Sequence, residues 1–357
     1  MNESVKLPRF ILLDGMRGVA AFSIVLFHLY FYQFRFFNGI AILVDFFFVL
    51  SGFVLAPTLF SREKGIRKRF LRARCIRLWP TVFVSFILII SSHFIPYIEK
   101  YSSAPKFSFI DYVLSFLLLQ VLIPGIYKIN IPLWSLSAEL LVNIFSSVLS
   151  IRRSTLFVMV FLGVVLQILG FQNGSSFLQF PHLGIKPELW WIGRALEGFY
   201  LGLLLSHSRN ERSLLEVRDQ CFSLKRLTIA IFCVLASYCS VLTSNKLIFL
   251  AAPTFYFLIK EILLIDQNFI PIPLRKVCIF FGKISYGIYV FHEPVSQILS
   301  GKFLAHYLHL DLHSPITLVL GAMLKILATL IITLVSLSLI ESPLRRWAGQ
   351  RFLNNVD

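Results

Sequence analysis

Runs of about twenty apolar residues return along the whole length of this chain, and no other feature constrains its fold as tightly. A bilayer core about 30 Å thick is crossed by roughly twenty helical residues, because a helix satisfies its own backbone hydrogen bonds where water is absent. Such segments lie at about 18–34, 40–60, 79–97, 109–125, 133–150, 155–171, 190–206, 227–243, 247–265, 278–299 and 315–340. With 57% hydrophobic and 15% charged residues, the 357-residue chain is too apolar for a water-soluble globule of its length. The expected fold is an all-α polytopic membrane protein, with a single transmembrane domain over residues 1–351 and a short cytoplasmic tail at 352–357. The 37 phenylalanines suit both lipid contact and packing between helices.

The net charge of +16 sits in short stretches flanking the apolar runs rather than along one soluble face, so positive-inside topology explains it and nucleic acid does not. Between the second and third runs, Ser61 to Arg77 holds Arg62, Lys64, Arg67, Lys68, Arg69, Arg72, Arg74 and Arg77 against one acid, which places that stretch in the cytoplasm. Eleven crossings would leave Arg152, Arg153, Arg209, Arg212, Lys225, Arg226 and the Arg345-Arg346 end outside. Treating 109–125, which holds Asp111 and ends near Pro124-Gly125, as re-entrant or interfacial returns them all to the inside. The expectation is therefore about ten transmembrane helices plus one re-entrant or interfacial segment, in the inner membrane, with both termini cytoplasmic. Lys6, Arg9 and Arg17 precede the first run as in a signal peptide, but no small-residue cleavage pattern follows, so the run reads as an uncleaved span. Five cysteines without CxxC spacing indicate neither a disulfide framework nor a zinc ribbon.

Ionisable groups inside hydrocarbon are costly, so each is a candidate for function. Arg17 and His28 are eleven residues apart, which returns to nearly the same helix face about 16 Å further along. This places Arg17 at the cytoplasmic rim and His28 near mid-membrane, with Asp14 able to pair with Arg17 at i,i+3. A neutral imidazole in a dry site can take a proton from a hydroxyl; the bland alternative is a histidine bonded to a carbonyl for packing. Arg74 and Arg77, one turn apart at the start of the third run, suit a phosphate ligand, with lipid anchoring as the rival. Asp45 and Glu139 are acids flanked by apolar residues. Asp45 could neutralise an arginine or hold His28, Glu139 could orient a hydroxyl or a base, and either could be a structural ion pair. Arg194 and Glu197, at i,i+3, read as a buried pair, and His292 as a second polar contact to substrate. His306, His309, Asp311 and His313 are too loosely spaced for a zinc site, and no metal is expected. No GxSxG elbow, Walker loop, HExxH or dinucleotide fingerprint is present.

Several of these residues fall in longer motifs: Leu13-Asp14-Gly15-Met16-Arg17-Gly18-Val19-Ala20-Ala21, with ten residues between Arg17 and His28; Val44 to Phe53; and Arg74-Cys75-Ile76-Arg77-Leu78-Trp79-Pro80. Leu133-Trp134-Ser135-Leu136-Ser137-Ala138-Glu139 and Gly282-Lys283-Ile284-Ser285-Tyr286-Gly287-Ile288-Tyr289-Val290-Phe291-His292 follow later. Together they resemble the acyltransferase 3 family of bacterial membrane acyltransferases, of the O-antigen and exopolysaccharide O-acetylase type. The resemblance implies ten membrane helices, a cytoplasmic acyl-CoA donor (acetyl-CoA by default) and a carbohydrate or glycolipid acceptor outside. It also implies activity at Arg17, His28, Arg74 and Arg77. Within these motifs Asp14, Trp134, Ser137, Tyr286 and His292 are expected to contact substrate. After Glu139 the family often has a second acid and an aromatic, where this chain has Leu140, Leu141, Val142 and Asn143.

The expected chemistry is an O-acyl transfer in which Arg74 and Arg77 hold the coenzyme A phosphates and His28 acts as general base, with Arg17, Glu139 and Asp45 completing the catalytic set. An acyl-enzyme on His28, Ser135 or Ser137 is the ping-pong variant. The rival from another class is a proton-coupled secondary transporter relaying protons through the intramembrane histidines and acids, although no internal repeat is visible.

Overall fold

Helices that carry charges need other helices around them, and the architecture follows that division. The computed structural model describes residues 9–29, 35–61, 65–94, 107–123, 129–171, 187–213, 223–243, 245–265, 270–300, 302–303, 306 and 315–348, and these contain helix and turn but no strand. The helices are α1 (Ile11–Leu29), α2 (Leu43–Phe60), α3 (Ile66–Phe94), α4 (Phe109–Phe116), α5 (Leu133–Val148), α6 (Arg153–Phe171), α7 (Pro187–Ser213), α8 (Leu224–Thr243), α9 (Ala251–Ile262), α10 (Ile272–Ile298), α11 (Pro315–Ser336) and α12 (Ser342–Ala348). Tighter 3₁₀ turns at Arg35–Ile42 and Asn245–Leu250 lead into α2 and α9, and a π-turn at Leu337–Glu341 joins α11 to α12. Among the described residues six stretches are long and apolar enough to cross a membrane: Ile11–Leu29, Phe37–Phe60, Ile66–Ser92, Arg153–Gly170, Leu224–Leu242 and Thr317–Ala348.

Within α6, α8 and α11, large side chains such as Phe157, Phe161, Phe232, Leu235, Met323 and Ile331 are exposed, as expected where lipid is the neighbour. The more polar α7 and α10 lie inside, with Trp191, Phe199, Tyr200, Ile288, Val290 and Phe291 buried. Phenylalanine serves both purposes, since Phe46, Phe48, Phe199, Phe255 and Phe291 are core.

Lipid tails are as apolar as leucine, so association of these helices depends on close van der Waals approach at small residues and on polar contacts. Gly52 of α2 lies on the Phe199 carbonyl of α7, and Gly202 of α7 on the Val49 carbonyl of α2, with no room for a Cβ at either. At the crossing of α1 and α10, Gly18 meets Phe281 and Gly282 meets Asp14 in the same manner. A buried ion pair reinforces the α2–α7 contact: Arg194 Nε and Nη2 donate to Asp45 Oδ1 at 3.0 Å and Oδ2 at 2.7 Å, and Nη2 also donates to the Ala41 carbonyl at 2.9 Å. Arg194 therefore reaches another helix for its acid, whereas the expectation paired it with Glu197. Glu197 accepts from Gln167 Nε2 of α6 at 2.5 Å.

Two expected boundaries move. The basic stretch after α2 is helical from Ile66, so Arg67 to Arg77 form the first turns of α3 rather than a loop; arginine and lysine are good helix formers, and charge alone does not end a helix. The expected re-entrant segment 109–125 is helical only over Phe109–Phe116, where Ser108 and Asp111 form a capping box. Beyond it the backbone turns at Leu118, which has a φ of 58°. Ser137 of α5 holds the turned backbone, donating to the Leu118 carbonyl at 2.6 Å and accepting from the Val121 amide at 3.2 Å. Gln120 Nε2 folds back to Ser115, 2.9 Å from its carbonyl and 2.7 Å from its hydroxyl. Pro124 and Gly125 lie outside the described residues.

Basic residues at helix starts meet the ends of neighbouring helices. Arg67, at the start of α3, donates to the Val148 and Leu149 carbonyls at the end of α5, a cation on a helix C-terminus. Arg226, beginning α8, pairs with Glu261 near the end of α9 at 3.2 Å. The early turns of α1 cross those of α10, because Gly15 packs on Cys278. Arg62, Lys64 and the residues after Ala348 lie outside the described set.

A leucine at Gly52 forces α2 and α7 apart and should cost at least about 1–3 kcal/mol. Thermal unfolding of the Gly52→Leu protein in detergent should show a clearly lower midpoint, and an unchanged midpoint would contradict the close packing described here.

Candidate active site

Three helices bring charges together although they begin far apart in sequence. On α3, Arg74 and Arg77 are a turn apart; on α5, Ser135 and Glu139 share a face at i,i+4; on α1, Arg17 faces inward from the seventh helical position. Arg74 Nη2 and the Ser51 hydroxyl both donate to Glu139 Oε1, tying α2, α3 and α5 to a single carboxylate oxygen. Arg17 is tethered more loosely, Nη1 lying 3.8 Å from Asp14 Oδ1, while Asp14 Oδ2 accepts from Arg9 Nε at 2.5 Å. Asp14 thus holds an arginine of the site.

These groups line one pocket, enclosing about 780 Å³ of empty space with its mouth included. Its polar wall is Arg17, Arg74, Arg77, Glu139, Ser51, Ser135 and Ser285; its apolar wall is largely α2, with Val44, Phe47, Phe48, Leu50, Val54 and Leu55. Tyr286 and Tyr289 of α10 also contribute. The Tyr286 hydroxyl donates to the Leu78 carbonyl at 3.0 Å. The Arg74 Nε hydrogen finds no acceptor among the described residues, and there the Arg77 guanidinium makes neither a hydrogen bond nor an ion pair.

His28 lies in the last described turn of α1, eleven residues on from Arg17. Its ring lies edge to edge with that of His292 of α10, with ring centroids 5.1 Å apart and an interplanar angle of 17°, and its Nδ1 lies 2.8 Å from His292 Nε2. The hydrogen bonds select tautomers. His292 Nδ1 is 3.3 Å from the Ile288 carbonyl, which can only accept, so Nδ1 carries the proton. In a neutral ring Nε2 is then an acceptor, so the proton between the two rings belongs to His28 Nδ1. The lone pair left over is on His28 Nε2, the position required of a base.

Neither histidine lines the pocket. Between them stands Tyr289, one turn before His292 on α10, with its ring 6.1 Å from the His292 ring and 6.0 Å from that of Phe47. Ser135 Oγ donates to the Pro132 carbonyl at 3.0 Å, so the 2.8 Å contact between Ser135 Oγ and the Tyr289 hydroxyl has the tyrosine as donor. Tyr286, Tyr289 and His292 form an i, i+3, i+6 stripe that runs from the pocket to the histidine pair.

Other sequence-derived candidates lie elsewhere. Asp45 is outside the pocket lining, occupied by Arg194. Trp134 stacks on Trp191 with centroids 5.3 Å apart and carries the Arg194 guanidinium over its ring, so it braces the buried ion pair. Ser137 secures the turned backbone after α4. These three are placed as packing elements, not as pocket walls. Sequence reasoning missed Ser51 and Tyr289, although both sit inside motifs it had singled out and the stripe on α10 was countable. Of the loop residues weighed as metal ligands, His306 is exposed, and His309, Asp311 and His313 lie outside the described residues.

Comparison with known proteins bears on this arrangement. Residues 10–339 match the sequence profile of the acyltransferase 3 family, described as an acyltransferase domain. The chain belongs to the acyltransferase 3 family. It carries an acyltransferase domain, and its apolar helices fit a multi-pass membrane protein. A curated relative described as "Protein 2 in picA locus", from Rhizobium radiobacter, is 43% identical over 90 residues, covering 24% of this chain and 47% of the relative. The match thus spans about half the length of that relative. No solved structure matches.

Ring-nitrogen NMR of histidine-labelled protein should show the proton of neutral His28 on Nδ1, and a His28 ring carrying it on Nε2 would contradict the hydrogen-bond chain.

Proposed function

We propose that this acyltransferase moves an acyl group, acetyl by default, from cytoplasmic acyl-CoA to a hydroxyl of an extracytoplasmic or lipid-linked carbohydrate. The observation that carries the reading is the pocket itself: an arginine without a partner among the described residues, at one end of an apolar-walled space whose other end stops at the tyrosine beside the histidine pair. Guanidinium groups match phosphate in planar, multi-donor geometry, and Arg77 together with the spare Arg74 Nε hydrogen supplies donors for it. The α2 wall suits the pantetheine arm and acyl chain. Arg17 and His28 are about 16 Å apart along α1, the distance an extended arm must cover.

In this mechanism His28 Nε2 takes the proton of the acceptor hydroxyl while that oxygen attacks the thioester carbon. The tetrahedral intermediate collapses with rupture of the C–S bond, giving an ester and a thiolate that receives the proton from His28. His292 holds the His28 tautomer. For acyl carbon and imidazole to meet, the donor arm must pass Tyr289. We assign α5, α7, α10, and α9 with its preceding 3₁₀ turn, as further crossings beside the six apolar stretches, for ten in all. Both termini are then cytoplasmic in the inner membrane, with α4 and the turn after it dipping in from the outer face.

Substitution of His28 by Ala should lower acyl transfer about 10²–10⁴-fold with normal membrane insertion. Mass spectrometry of surface glycans from cells carrying each form measures this, and normal acylation by the variant would remove His28 from the chemistry. Arg77→Gln should weaken coenzyme A binding to the detergent-solubilised protein by about 1.5–3 kcal/mol, the worth of hydrogen bonds to a charged group. Calorimetric titration measures it, and an unaltered affinity would leave Arg77 a lipid anchor.

A further inference from the structure

The last helix of the described chain adds a charge to this pocket's surroundings that neither the motifs nor the family profile includes, since the profile stops at residue 339. The π-turn Leu337–Glu341 widens the end of α11 and redirects the chain into α12. Turns of this kind cluster at functional positions, because an extra residue re-aims the side chains that follow. Both the π-turn and α12 pack on α3, the helix that carries Arg74 and Arg77. Glu341 is buried, accepting from Arg345 Nη2 at 2.9 Å and from the Ser336 hydroxyl at 3.4 Å. Arg345 itself is 40% exposed in its side chain. Arg345 is not itself in the pocket lining, but its helix packs on the one that carries Arg74 and Arg77.

Around this end of the pocket Arg17, Arg74 and Arg345 have carboxylate partners in Asp14, Glu139 and Glu341, while Arg77 has none among the described residues. A single phosphate is met by Arg77; a ligand with a diphosphate and a further phosphate uses the arginines that now hold carboxylates. Arg345 is the one best placed to change partners, because it is half in water and its bond to Glu341 spans a single helical turn.

We propose that Arg345 is a fourth guanidinium of the donor pocket, delivered by the π-turn and shared between Glu341 and the donor, and that it makes the site selective for a thioester donor bearing several phosphates. The inference rests on the donor reading given above. Glu341 keeps the arginine in place while the pocket is empty, and the phosphates draw it inward when the donor enters.

The test is calorimetric titration of the detergent-solubilised full chain with coenzyme A, with 3′-dephospho coenzyme A and with pantetheine, which has no phosphate beyond the arm. Arg345→Gln should weaken coenzyme A binding about three- to tenfold and leave pantetheine binding as it was. Glu341→Gln, which releases Arg345, should strengthen coenzyme A binding by a few fold without affecting pantetheine, and it decides the matter alone if Arg345→Gln does not fold. Equal changes for coenzyme A and pantetheine, or none for coenzyme A, would overturn the proposal. Arg77→Gln separates the two levels of inference. If Arg77→Gln discriminates between these ligands and the Arg345 and Glu341 variants do not, only the role of Arg345 fails; if Arg77→Gln does not discriminate either, the donor reading itself fails.

Discussion

A charge placed in hydrocarbon has no water to fall back on, so it must find its partner within the protein, and the pairs Arg74–Glu139, Arg194–Asp45 and Arg226–Glu261 find it on another helix. Glu139 shows what this does to the architecture. One carboxylate oxygen receives Arg74 of α3 and Ser51 of α2 while belonging to α5, so three helices that line the pocket are held to one point. Asp45 and Arg194 do the same for α2 and α7 further from the chemistry, with glycines on both helices permitting the approach. Breaking such a pair leaves an unpaired charge and costs about 3–5 kcal/mol, so the α2 wall of the pocket depends also on Asp45 and Arg194, which lie outside its lining.

From that framework the division of labour follows. Pairing consumes Asp45, Arg194 and most of Arg74, and leaves Arg77 with its hydrogen-bond donors unused among the described residues. The histidines are organised on the same principle but with neutral groups: a carbonyl orients His292, His292 orients His28, and the chain of donors ends at a free lone pair. Tyr289 sits between the cationic end and the imidazole end, its hydroxyl given to Ser135. A side chain with two rotatable bonds and one hydrogen bond is a modest obstacle, and its displacement is the one rearrangement the proposed reaction requires.

Much of the site was legible in the sequence because an ionisable residue within an apolar run is conspicuous. Arg17, Arg74, Arg77 and Glu139 were singled out on that ground and line one pocket. At Asp45 the same signal left two readings open, since an acid that is costly to bury looks identical whether it serves catalysis or pairs with an arginine; its partner, Arg194, is 149 residues away. Trp134 and Ser137 belong to a motif whose face toward the pocket is carried by Ser135 and Glu139, and a motif read as a string does not say which of its residues face inward. The pairing of His28 with His292 across 264 residues leaves no local trace. Charge was also misleading about local structure, since the dense run of Arg and Lys read as a loop is the opening of α3. The re-entrant segment was visible as a conflict between loop charge and crossing number, but the backbone turn at Leu118 that shortens its helix was not.

The central claim is that the arginine pocket and the histidine pair serve one donor molecule. An electron cryo-microscopy map of the protein in lipid nanodiscs, with a non-hydrolysable thioether analogue of acetyl-CoA bound, tests it most directly. Phosphate density should lie on Arg77, with the arm passing a displaced Tyr289 and the acyl carbon within reach of His28 Nε2. An analogue bound elsewhere, or one whose acyl end stays on the arginine side of an unmoved Tyr289, would contradict it.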